Sequence, residues 1–131
     1  MNLLLDTHIW LWNELGSPNL LPRCRALLAD PSNQLWLSPI SAWELVLLAE
    51  KHRIRFDCDI GSWIQRFGGP DRYREAPVEF GVVQASLHVR LPHHDPADRL
   101  LAATALFNRF TLLTADQALL SGSGFPVLPN Q

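Results

Sequence analysis

The stretch His93–Leu120, HHDPADRLLAATALFNRFTLLTADQALL, decides how the rest of the chain is read. Asp95 is placed to cap a helix and Pro96 to open it, because the first helical N–H has no partner to lose. Asp98 follows three residues later, on the face to which Asp95 points. Leu100–Phe107 is apolar almost throughout, which predicts a helix covered on more than one side and closed by Asn108 and Arg109. Phe110–Leu113 then reads as a short buried strand, with Thr114, Ala115 and Asp116 at its carboxyl end. Ligands of open α/β sheets gather in the crevice outside those strand ends. A carboxylate at a helix start and another at a strand end are therefore expected to meet there.

Working outward, Asn2–Leu5 is a continuous run of the kind a fully buried parallel strand requires, and Asp6 sits at its end. Asp6 or Thr7 caps a helix from about His8 to Glu14, stopped by Gly16, Ser17 and Pro18. A second helix begins near Leu20 or Pro22 and runs to Ala29. Gln34–Leu37 reads as a strand broken by Ser38-Pro39. Ser41-Ala42-Trp43-Glu44 fits a capping box, S-x-x-E, ahead of the apolar run Leu45–Ala49. Asp59–Phe67 is a further helix. Arg74–Val78 is a minor edge strand, since Pro77 argues against a central place. Glu79–His88 is weakly helical, and Phe125–Leu128 closes the chain as a last strand. Strands alternating with helices predict one α/β domain over residues 1–131, with a mostly parallel sheet flanked by helices.

Composition narrows the function classes. The chain has 131 residues, long enough for a real core, and its 47% hydrophobic against 18% charged content excludes disorder. Net charge is −2, so the molecule as a whole is no basic clamp for nucleic acid. Lys51 stands alone among its cations with ten arginines, which favours selective bidentate contacts over bulk attraction. Five Trp and six Phe exceed what a small core readily hides, so apolar surface is expected to face a partner or a second copy. Cys24 and Cys58 form no ligand pair and fit a reduced, cytoplasmic protein. The start MNLLLDTH lacks the basic region of a signal peptide, and no run reaches the ~18 apolar residues of a membrane span.

Each acid has a plain structural use when taken alone: Asp6, Asp95 and Asp116 as helix caps, Glu44 as the second half of a capping box. Asp98, in a first turn amid apolar neighbours, is harder to explain that way. Together they fall at strand carboxyl ends or helix starts, which an α/β sheet collects on one edge. Clustered carboxylates raise one another's pKa unless a cation neutralises them, and hard oxygen donors suit Mg²⁺ or Mn²⁺. That chemistry favours metal-assisted hydrolysis of a phosphodiester. A zinc or base role for His8, His93 and His94 stays open, although adjacent His93 and His94 cannot share one helix face. No P-loop, GxSxG elbow or aspartyl-phosphate motif is present, and His8 stands where the last would need a second Asp.

Four blocks, LLLDTHIWLW (3–12), SPISAWELVLL (38–48), LPHHDPADRLLAATAL (91–106) and TLLTADQALL (111–120), resemble PIN-domain ribonucleases, nearest the VapC-type toxins of bacterial toxin–antitoxin pairs. They occur in the family's order and approximate spacing from one end of the chain to the other. The resemblance implies that Asp6, Glu44, Asp98 and Asp116 hold one or two Mg²⁺ (or Mn²⁺) for endonucleolytic RNA cleavage. It gives Thr7 and Thr114 as hydroxyls near the metal, and places Asp95 in a block where relatives commonly show HRDPFDR; here His94 and Ala97 replace the Arg and Phe. It also implies a five-stranded parallel sheet, a homodimer and an antitoxin protein that blocks the site. Arg99, Arg72 and Arg74 are candidate phosphate contacts. A non-catalytic PIN-like binding module and another metal-dependent phosphoesterase or DNA nuclease remain as alternatives.

Overall fold

A computed structural model describes Met1–Gln131. Five strands form one sheet, β1 (Asn2–Leu5), β2 (Gln34–Leu37), β3 (Arg74–Glu75), β4 (Thr111–Thr114) and β5 (Val127–Pro129), in the order β3-β2-β1-β4-β5. Every pairing is parallel, so the sheet is wholly rather than mostly so. Seven helices flank it: α1 (Thr7–Leu15), α2 (Pro22–Ala29), α3 (Pro39–Glu50), α4 (Ile60–Phe67), α5 (Phe80–Ala85), α6 (Pro96–Asn108) and α7 (Gln117–Leu120).

Leu runs make the central strands because both faces of the sheet are covered. Leu3, Leu5 and Leu113 point into one apolar layer with Ile9, Trp10, Leu45 and Trp63. Leu4 and Leu112 point the other way, against Val82, Ala102, Ala103 and Ala105. All five strand leucines are fully buried. The alternation of side chains along a strand splits one continuous leucine run between two cores. On the second face, the alanines of α6 let that helix lie close to the sheet.

From β1 the chain winds to β2 and β3 on one side, then crosses back to β4 and β5 on the other. The strand order therefore switches between β1 and β4, and a crevice opens outside their carboxyl ends. Asp6 and Asp116 leave those two ends.

Several boundaries differ from the sequence reading. α3 starts at Pro39, capped by Ser38, whose Oγ accepts from the Ile40 N–H at 3.0 Å. The Ser41–Glu44 capping box is thus a misreading: Glu44 lies in the second turn, and the Ser41 hydroxyl is buried without a partner. β3 is only two residues long, an edge strand as Pro77 requires. β4 and β5 begin one and two residues later than expected. The chain leaves α6 through Arg109, a non-glycine residue at φ 58° whose left-handed turn lets the Phe110 N–H bond the Ala105 carbonyl.

Candidate active site

Asp6 is fixed by its position between two strands. Its N–H bonds the Leu113 carbonyl, so the end of β1 is tied to β4. One carboxylate oxygen accepts the Thr7 N–H at 2.8 Å and caps α1; the other accepts the Thr114 hydroxyl at 2.6 Å. The Thr114 oxygen in turn accepts the Asp116 N–H at 3.0 Å. The hydroxyl expected beside Asp6 thus reaches it from β4, and it also sets the backbone at Asp116. Capping and convergence prove compatible, because Asp6 uses one oxygen for each.

Glu44 comes from α3. The Thr7 hydroxyl donates to its Oε1 at 2.8 Å, so the start of α1 orients a glutamate 37 residues away. Asp98 sits in the first turn of α6, 6% exposed, where Asp95 caps the helix by accepting its N–H at 3.1 Å. His93 Nε2 lies 2.9 Å from Asp98 Oδ2. Asp116 caps α7 through the Ala118 N–H at 2.8 Å and is exposed.

Ligand oxygens of Asp6, Glu44 and Asp98 lie within 4.8 Å of one another, as do ligand atoms of His93, Asp98 and Asp116. Asp98 belongs to both groups, so the four acids read from the sequence face one cleft. That cleft, about 360 Å³, is lined by Asp6, His8, Trp12, Glu44, Asp95, Asp98, Ala115 and Asp116. No lysine or arginine lines it. Burial is the first cause of the pKa shifts here. It raises Asp6 against the lowering effect of Thr114 and Thr7. Burial, then the charges of Asp6, Asp98 and Asp95, push Glu44 to about 7. Burial and the neighbouring Asp95, Asp6 and Asp116 push Asp98 to about 6. Buried carboxylates crowded in this way gain from a divalent ion that neutralises their charge, and their hard oxygens fit Mg²⁺ or Mn²⁺ rather than a thiophilic metal.

The three arginines are not brought to this cleft. Arg72 forks onto Glu14, with contacts of 3.0 and 2.6 Å, and the Glu14 side chain is 1% exposed. Tyr73 donates to the same carboxylate, making a clamp between α1 and the approach to β3. Arg74 lies over the Trp36 ring and borders a separate cavity of about 390 Å³ beneath Trp10, Leu37 and Tyr73, which gathers no acid cluster. Arg99 donates to the Ser86 carbonyl at 2.8 Å. A sequence shows that an arginine exists, but the buried Glu14 that claims Arg72 appears only once the chain is folded. His94 does not line the cleft, whereas His8 does, its ring centroid 5.7 Å from that of Trp12 one turn along α1, with the two rings tilted at 52°. The pairing of His93 with Asp98 went unread; its only signal was the nearness of the two in sequence.

A PIN domain family model matches residues 3–121. Ribonuclease VapC22 of Mycobacterium tuberculosis is 33% identical over 121 residues, covering 90% of this chain and 89% of that one. Among solved structures, a chain of the VapBC2 complex of Rickettsia felis bound to a promoter DNA fragment superposes with a TM-score of 0.72 at 18% identity, covering 98% of each chain. FitAcB of Neisseria gonorrhoeae gives a TM-score of 0.61 at 20% identity over 96% of each. At those identities the two structures speak for the fold.

Proposed function

The chain belongs to the PIN domain family, and on that premise we propose that it is a divalent-metal-dependent endoribonuclease, the toxin of a toxin–antitoxin pair. The observation that carries this reading is the convergence of Asp6, Glu44 and Asp98 within 4.8 Å in a cleft lined by no lysine or arginine. The likeness to a ribonuclease over nine-tenths of the chain supports RNA as the substrate.

Asp6, Glu44 and Asp98 would hold Mg²⁺ or Mn²⁺, with Asp116 within reach across Asp98. The bound ion supplies water of lowered pKa and neutralises charge developing on the phosphate. Thr7 and Thr114 each donate a hydroxyl proton to a carboxylate, which turns Glu44 and Asp6 toward the cleft and leaves their remaining lone pairs for a ligand. Asp95 positions Asp98 by capping α6 and adds to the negative field. His93 holds Asp98 Oδ2 and limits its rotation. The protein's part is position and charge, with no covalent step.

The test compares single-stranded RNA, DNA of the same sequence and a phosphate monoester under one set of conditions. RNA cleavage in Mg²⁺ that stops on chelation is expected. Cleavage of the monoester alone would remove the ribonuclease reading in favour of a phosphatase, and equal cleavage of DNA would favour a general nuclease.

The same proposal includes an antitoxin that covers the site, a cytoplasmic setting and a homodimer. No helix is long and apolar enough to cross a membrane. For the homodimer the support is an apolar surface: Phe80 is 92% exposed, with Val83 and Leu87 following on its face and Phe107 of α6 beside it. Phe80→Glu is expected to convert a dimer to a monomer in sedimentation analysis. A parent chain that already sediments as a monomer contradicts this part.

A further inference from the structure

A second groove of about 320 Å³ adjoins the acid cleft, and the two share His8, Glu44 and Asp95. They form one trough with the acids at one end and the carboxyl end of α3 at the other. Helical spacing sets what the far end presents. Trp43, half exposed, is followed one turn later by Leu47 and two turns later by Lys51, the capping residue of α3. His52 then adopts φ 56°, and the Arg53 N–H bonds the Leu48 carbonyl, so the chain folds back and Arg53 also borders the groove. Both cations are exposed. The two ion pairs of the structure involve other residues, and neither Lys51 nor Arg53 donates a side-chain hydrogen bond.

We infer that this trough is a subsite for single-stranded RNA flanking the scissile phosphate, with a base stacked on Trp43 and a neighbouring phosphate held by Lys51 and Arg53. The inference rests on the ribonuclease reading and deepens it. An acidic centre repels a polyanion, so a strand needs an anchor outside it. Along α3, Glu44 and Lys51 are about 10 Å apart at 1.5 Å per residue. That exceeds the ~8 Å screening length at physiological salt. The two cations therefore attract the backbone without cancelling the field that the acids offer a metal. An exposed indole beside unpaired cations is the pairing that suits unstacked bases and their phosphates. Shared walls with the acid cleft favour the substrate strand over a separate protein partner.

The test is fluorescence anisotropy with a labelled single-stranded RNA oligonucleotide, Ca²⁺ replacing Mg²⁺ to suppress turnover, alongside RNA cleavage in Mg²⁺ by the parent. Trp43→Ala is expected to weaken binding roughly tenfold, with Trp43→Phe retaining most of it. The double variant Lys51→Ala/Arg53→Ala should lower the slope of log affinity against log salt by about 0.7, the value for the one phosphate they hold. Its sites are exposed, so it keeps the test sound if Trp43→Ala fails to fold. A parent that binds and cleaves RNA, with variants matching its affinity and salt slope, overturns the subsite and leaves the ribonuclease reading intact. A parent that neither binds nor cleaves RNA overturns both.

Discussion

Asp98→Asn is expected to lower metal-dependent RNA cleavage by about 10³-fold or more, while the metal-free protein becomes more stable. The activity loss follows from position: Asp98 is the only acid in both groups of candidate ligands. Loss of a metal-ligating charge removes several kcal/mol of transition-state stabilisation, and ~4 kcal/mol corresponds to about 10³ in rate. The stability gain has a separate origin. Asp98 is pushed to about 6 by burial and by Asp95, Asp6 and Asp116, so at pH 7.5 its charged form is held at a cost. An amide of the same shape removes that cost and can still accept from His93. Each pKa unit is worth ~1.4 kcal/mol, and with the cleft open to solvent a gain of about 1–2 kcal/mol is expected. Thermal melts beside cleavage rates check both halves. A variant that keeps a tenth of the parent rate, or loses stability together with activity, counts against the assignment.

The second large effect is on the pH dependence of stability. A carboxyl whose pKa is higher folded than unfolded binds its proton more tightly in the folded chain. Stability is then greatest below the unfolded value and falls as pH rises to the folded one. Glu44 moves from 4.5 to about 7 and Asp98 from 3.8 to about 6, and Asp6 moves in the same direction. Between pH about 4 and 7 the metal-free protein is therefore expected to lose about 2–4 kcal/mol from this cluster. Saturating Mg²⁺ should restore most of it at pH 7.5, since a ligand at 100 times its Kd contributes ~2.7 kcal/mol. The same Mg²⁺ should have little effect at pH 5, where the acids hold protons. Denaturant unfolding across pH with Mg²⁺ or chelator measures this. A Mg²⁺ effect of equal size at pH 5 and 7.5 contradicts it.

The sheet is legible in the sequence because its signal is local: a run of leucines bounded by polar residues has few alternatives to a doubly covered strand. Helix starts are local too, and Asp95-Pro96 yields both cap and first helical residue. Ser38-Pro39 is the same device, yet after the strand Gln34–Leu37 it reads as a break. Two residues later, Ser41 and Glu44 offer a capping box that the fold does not use. The error matters, because it gives Glu44 a local occupation when its bond is to Thr7, 37 residues away. What the sequence hides is tertiary pairing. Nothing local shows that Glu14 is buried and takes Arg72, that Arg99 turns to Ser86, or that His93 folds onto Asp98. Nor does spacing alone reveal that Trp43, Lys51 and Arg53 border the trough beside the acids.

The central claim is that acids remote in the chain make one site for a divalent cation. Anomalous scattering from crystals grown with Mn²⁺ tests it most directly. The expected result is a peak in bonding contact with carboxylate oxygens of Asp6, Glu44 or Asp98, lost in Asp98→Asn. A crystal with no peak in the cleft, at Mn²⁺ concentrations that support cleavage in solution, would contradict it.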